Sequence, residues 1–202
     1  PLGLRPKAGG ERGLVGGKKM EKNSLSQEIN RIQNTQLREA LMAYFKNIVP
    51  DYFWTVPSSS SGKFHSSFDS GEGGLVRHTK MCVLVAEELL RLEEFSQIDP
   101  DCMYAAMLLH DSFKQGRDGR HYRADHPRLA ADAWRDFAKA MGLPENITMA
   151  ITYAIAWHSG QWSGPSTRDN FEKPNAYMAE IKCAHLCDYI ASRGFFNKIN
   201  TL

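Results

Sequence analysis

The sequence predicts an all-α fold, and three observations carry that prediction. Apolar residues recur at steps of three and four through successive stretches of the chain. Asp-Pro, Pro and Gly punctuation separates those stretches. Alternating β-branched segments, the mark of half-buried strands, do not occur in number.

The elements follow in chain order. Residues 24–48 place Ile29, Ile32, Leu37, Leu41, Phe45 and Ile48 at helical spacing, and Pro50 closes the stretch. Residues 58–74 are rich in Ser and Gly and enclose Phe64, His65 and Phe68, so they read as a long loop. Residues 75–93 resume the helical pattern at Cys82, Val83, Val85, Ala86, Leu89 and Leu90. Asp99-Pro100 pairs an N-cap acceptor with a proline at the first helical position. The helix it opens runs through Cys102, Met103, Ala106, Met107 and Leu108 into His110-Asp111. Asp125 is read as the cap of a helix with Leu129, Ala130, Ala133, Trp134, Phe137 and Met141 on one side, ended by Gly142. Pro144 opens the next, through Ile147, Ile151, Ala154 and Ile155 to His158. A loop at 159–174 leads to a last helix at 175–192, stopped by Gly194.

Composition narrows the function classes. The chain has 202 residues, 42% hydrophobic and 24% charged, which are globular values and exclude wholesale disorder. No run of about 18 apolar residues offers a transmembrane helix, so no membrane partner is expected. The net charge of +2 invites a nucleic-acid reading, but the charge is uneven. Residues 1–22 hold Arg5, Lys7, Arg12, Lys18, Lys19 and Lys22 against Glu11 and Glu21, a net +4, so the rest carries −2. That Gly-rich stretch is read as a flexible tail, an expression remnant or an upstream extension, with Met20 as a natural start. A basic arm touching phosphates is its functional alternative. Residues 23–202 are read as one folded domain, mildly acidic, and a long nucleic acid is not its expected partner. Cys82, Cys102, Cys183 and Cys187 form no CxxC pair, and Cys183 and Cys187 stand one helical turn apart. Buried free thiols in a reduced, cytoplasmic compartment are expected, with a zinc site as the other reading of that pair.

The ionisable residues fall on the inward stripes. His78 shares a face with Cys82, Val85 and Leu89; His110 continues Met103 and Met107; His158 continues Ile151, Ala154 and Ile155; Asp188 continues Ile181, Ala184 and His185. One buried histidine is ordinarily a hydrogen-bonded core residue. Several imidazoles and two carboxylates on inner faces of different helices need a common partner, because burying an uncompensated carboxylate costs several kcal/mol. A divalent cation satisfies them together.

The order His78, His110-Asp111, Asp188 resembles the signature of the HD-domain metal-dependent phosphohydrolase superfamily. The segments Gly74-Leu75-Val76-Arg77-His78-Thr79, Ala106-Met107-Leu108-Leu109-His110-Asp111-Ser112-Phe113-Lys114 and Cys187-Asp188-Tyr189-Ile190-Ala191-Ser192 are each similar to the corresponding family helices. Asp125-His126-Pro127-Arg128-Leu129-Ala130 resembles a further helix start of that family, and His158 falls where some members carry another histidine. The resemblance implies a helical bundle with the metal between its central helices, one ion on His78, His110, Asp111 and Asp188, and a second helped by His126 and His158 with Asp111 bridging. Where such members often carry one more histidine, this chain has Ser159. The other reading of His126 is a residue that supports a ligand or binds phosphate. His121, His65 and His185 are read as surface, rim and ligand-supporting residues.

Histidine and carboxylate donors admit Mn, Fe, Co, Zn or Mg. Such a site hydrolyses phosphoesters through metal-activated water, which Asp111 would orient. Lys114 and Arg77 are candidates for neutralising phosphate charge, and Arg123 and Arg120 follow them. Trp162 is a candidate plate for a base and Gln161 a reader of its edge, with Phe64, His65 and Phe68 on the opposite rim. The resemblance thus implies a hydrolase of small nucleotides, either a nucleotidase or a deoxynucleoside triphosphate triphosphohydrolase. The alternatives are a phosphodiesterase of short oligonucleotides or cyclic nucleotides, and a metal-containing module that binds nucleotides without turnover. Members of the family often form dimers or hexamers.

Overall fold

A computed structural model describes residues 24–59 and 67–193. The basic tail, Phe64 with His65, and Gly194 lie outside the described residues. The described chain folds into eight α-helices, with no strand among the described residues. These are α1 (Ser26–Ile29), α2 (Thr35–Asn47), α3 (Gly74–Leu89), α4 (Pro100–Leu109), α5 (His126–Ala140), α6 (Glu145–Trp157), α7 (Pro165–Asn170) and α8 (Met178–Ser192). None is long and apolar enough to cross a membrane.

Helix α4 is the axis of the bundle. Apart from Tyr104, its side chains from Cys102 to Leu109 are buried, and a helix that is apolar all round has to sit inside. It packs against α3, α6 and α8, while α5 covers the outer side of α6. The buried core is continuous from Leu25 to Ala191, so α1 and α2 share it with the helices that follow. Tyr44 of α2 meets Trp134 and Phe137 of α5 edge-on, at 5.8 and 5.2 Å between ring centres.

Asp99 caps α4 as the sequence predicts, its carboxylate accepting from the Asp101 amide at 2.9 Å. The expected single helix over 24–48 is instead broken between Ile29 and Thr35. The cause lies in α4: the Asp101 carboxylate accepts from the backbone amides of Gln33 and Asn34 at 2.9 and 2.7 Å, and the Asn34 side chain caps α2 through the Leu37 amide. Asn34→Ala is expected to cost about 1 kcal/mol, read as an earlier denaturant midpoint at unchanged slope.

Three further boundaries differ from the sequence reading. Asp125 makes no side-chain cap at α5; its carboxylate is taken by Arg123, with both hydrogen bonds at 2.8 Å. The expected loop at 159–174 contains α7, opened by Gly164 and Pro165. The last helix begins at Met178, because 175–177 wind as a tighter single turn. All four cysteines are buried free thiols.

Candidate metal centre

Four imidazoles reach the centre of the bundle, three of them by one local device. His110 and His158 follow the last residues of α4 and α6, where carbonyls lack intrahelical partners. Each ring donates its Nδ1–H to such a carbonyl, His110 to Met107 and His158 to Ile155, both at 2.7 Å. His126 does the same to the Arg123 carbonyl at 2.7 Å. A carbonyl only accepts, so the proton must sit on Nδ1 and each Nε2 is turned inward as a donor for a metal. Two helix C-termini aimed at one point also favour positive charge there.

The Nε2 atoms gather around Asp111. On one side, His78 Nε2 lies 3.4 Å from His110 Nε2 and 3.0 Å from Asp188 Oδ1. Asp111 Oδ2 faces this group, 3.8 Å from His78 and 3.5 Å from His110. On the other side, His126 Nε2 and His158 Nε2 are 3.3 Å apart, and Asp111 Oδ1 faces them at 2.9 and 3.7 Å. One carboxylate therefore looks into two nests, one with each oxygen. His78, His110, Asp111, His126 and His158 are buried, and Asp188 is partly open to solvent.

Lys114, one turn after Asp111, places Nζ 2.5 Å from Asp111 Oδ2. Its loop is held from below: the Tyr52 hydroxyl accepts from the Gln115 amide and donates to the Gly116 carbonyl, at 3.0 and 2.7 Å. Burial disfavours the charged form of Asp111, but Lys114 and the neighbouring histidines outweigh it and hold the carboxyl well below its usual range. Burial also opposes charge on His110, yet the Asp111 carboxylate lifts it to about 8. Burial, with His110 nearby, pushes His158 down to about 3, leaving a neutral imidazole. The donor set fits a divalent ion: convergent imidazole nitrogens and buried carboxylates, with protons holding the balance that a metal would take over on binding.

The structure thus brings together His78, His110, Asp111, Lys114, His126, His158 and Asp188. Other candidate residues have other partners. Arg77 donates to the carbonyls of Phe68, Ser70 and Glu72 at 2.6, 2.8 and 2.9 Å, so its guanidinium straps a turn where phosphate contact is expected from the sequence. Arg123 points outward to Asp125 and serves the centre through its carbonyl. Arg120 pairs with Asp118 at the surface. Gln161 is exposed, and its carbonyl accepts from Arg168. Trp162 is 58% exposed and stacks on Tyr189 at 5.8 Å, with the His185 ring 5.5 Å away. His185 donates its Nδ1–H to the His158 carbonyl at 2.9 Å. The approach is close enough that a side chain at Gly160, whose φ is +56°, would meet the His185 ring.

Three residues near the centre escape the sequence reading. Asp69 is buried with Oδ2 3.9 Å from His78 Nδ1, behind the inward face of that ring. Cys82 lies one turn along α3 with Sγ 3.5 Å from His78 Nε2. The Tyr122 ring lies 5.6 Å from His126, and burial, then Asp111, pushes its phenol up. The spacing of Cys82 from His78 was the one available signal; Asp69 and Tyr122 sit in loops without periodicity.

A family model described as HD domain matches residues 75–193, more than half of the chain. No curated protein and no solved structure matches the sequence.

Proposed function

On the premise that the chain belongs to the HD domain family, a family of metal-dependent phosphohydrolases, we propose that it hydrolyses small nucleotides, removing phosphate or releasing triphosphate. The observation that carries this reading is the Asp111 carboxylate, which faces His78 and His110 with one oxygen and His126 and His158 with the other. His78, His110, Asp188 and Asp111 would hold one divalent ion, and His126, His158 and Asp111 a second. Such an ion lowers the pKa of bound water and polarises a phosphoryl oxygen.

The chain's own groups supply the rest. Asp111 orients the water by accepting its hydrogen bond. Lys114 is a cation already inside the site and balances the charge of a phosphate brought to its edge. Trp162 offers a base one aromatic face beside the His158 segment, stiffened by its stack on Tyr189. A folded part that carries a net −2 suits a small anionic ligand better than a long polynucleotide.

The test is a screen of nucleoside mono-, di- and triphosphates and short oligonucleotides with added Mn²⁺, Co²⁺, Zn²⁺ or Mg²⁺. Phosphate or triphosphate release from a mononucleotide is expected; no release from any of them, with metal confirmed bound, overturns the reading. Trp162→Ala is expected to raise KM by about 5- to 150-fold with little change in kcat, since one base–aromatic stack is worth about 1–3 kcal/mol.

A further inference from the structure

The His78 side of the centre contains a donor that the phosphohydrolase reading does not use. Cys82 is fully buried and sits four residues after His78 on α3, so both side chains leave the same face of the helix. Its Sγ lies 3.5 Å from His78 Nε2, and the ligand atoms of His78, Cys82, His110 and Asp188 all lie within 4.8 Å of one another. Around a tetrahedral zinc-like ion, two nitrogens stand about 3.3 Å apart and a nitrogen and a sulfur about 3.5 Å apart, given metal–nitrogen and metal–sulfur bonds of about 2.05 and 2.3 Å. The observed separations, 3.4 Å between the His78 and His110 nitrogens and 3.5 Å from His78 to the Cys82 sulfur, are close to those edges, and Asp188 Oδ1 stands 3.0 and 3.8 Å from the two nitrogens. Asp111 Oδ2 stands 3.8 and 3.5 Å from the same two nitrogens, so the thiol adds to that carboxylate rather than displacing it. The other three thiols belong to no such group among the described residues.

We propose that Cys82 is a metal ligand, joining His78, His110, Asp111 and Asp188 in a site that takes Zn²⁺, Co²⁺ or Fe²⁺ in preference to Mg²⁺ or Mn²⁺. On binding, the Cys82 S–H proton passes to solvent and the sulfur lone pair forms the metal–sulfur bond, with no change of oxidation state. A thiolate makes the site softer than imidazole and carboxylate alone would, and soft donors select against the oxygen-seeking ions. This rests on the metal reading above and narrows it to a class of ion.

The full chain, stripped of metal and reloaded with Co²⁺, tests it by absorption. The wild-type protein is expected to show a near-ultraviolet thiolate-to-cobalt charge-transfer band together with visible cobalt bands. Cys82→Ser should lose the charge-transfer band and keep the visible ones, and Cys102→Ser should keep both. In a competition read by elemental analysis, Cys82→Ser should also weaken the Zn²⁺-over-Mg²⁺ preference by at least about tenfold, the loss that follows even from disturbing a ligand's outer partners. Bound cobalt without a charge-transfer band in the wild type, or a band that survives in Cys82→Ser, overturns the thiolate assignment and leaves nucleotide hydrolysis standing. No uptake of cobalt by the wild type overturns both.

Discussion

Asp111→Ala is expected to strip the protein of metal, reduce phosphate release to background and lower its thermal stability. Both oxygens of this carboxylate are committed, Oδ2 to the His78, His110 and Lys114 side and Oδ1 to His126 and His158. Its loss also leaves the Lys114 ammonium enclosed without its close carboxylate, and breaking a buried pair from one side costs about 3–5 kcal/mol. Asp111→Asn keeps the shape and removes the charge, so it should lose metal as well. Elemental analysis, a hydrolysis assay and a melting curve read the three effects. Metal content unchanged in both variants would mean that Asp111 is not a ligand.

Gly74→Ala should damage the centre from a distance. A Cβ on Gly74 would stand 1.9 Å from the Asp69 carbonyl oxygen, 2.8 Å from its carbon and 3.0 Å from Pro57 Cα. All three are backbone atoms and cannot swing aside as a side chain would. The segment that must retreat carries Asp69, behind His78, and the carbonyls that Arg77 holds. Overpacking of this kind costs about 1–3 kcal/mol, sometimes more. For a chain of this size that is a fall in melting temperature of about 2–12 °C, accompanied by weaker metal retention. An unchanged melting temperature would show that the Asp69 turn yields freely and that Gly74 is not needed there.

Much of the bundle was legible in the sequence where the signal is local. Asp99-Pro100 marks the start of α4, and its nearly unbroken apolar run places it at the centre. His78, His110, His158 and Asp188 stand on stripes whose other members are apolar, which is why they read as inward-facing. Where the sequence misleads, a distant group is responsible. The break before α2 is set by Asp101 of α4. Asp125, a good cap by composition, is claimed by Arg123. Arg77 neighbours His78 in sequence, yet its guanidinium has three carbonyls of the preceding turn within reach. Trp162 packs on Tyr189, which stands far along the chain in α8.

The sequence by itself determined the helical class, the family pattern and the set of imidazoles and carboxylates that turn inward. Periodicity, caps and the penalty on buried charge act over a few residues and can be read from them. Only the tertiary structure decided how those groups are shared: Asp111 between two nests, Lys114 against its carboxylate, Cys82 beside His78, Asp69 behind it. Some of these partners are near in the chain and others stand on different helices, but which lone pair faces which depends on ångström distances that no local pattern encodes.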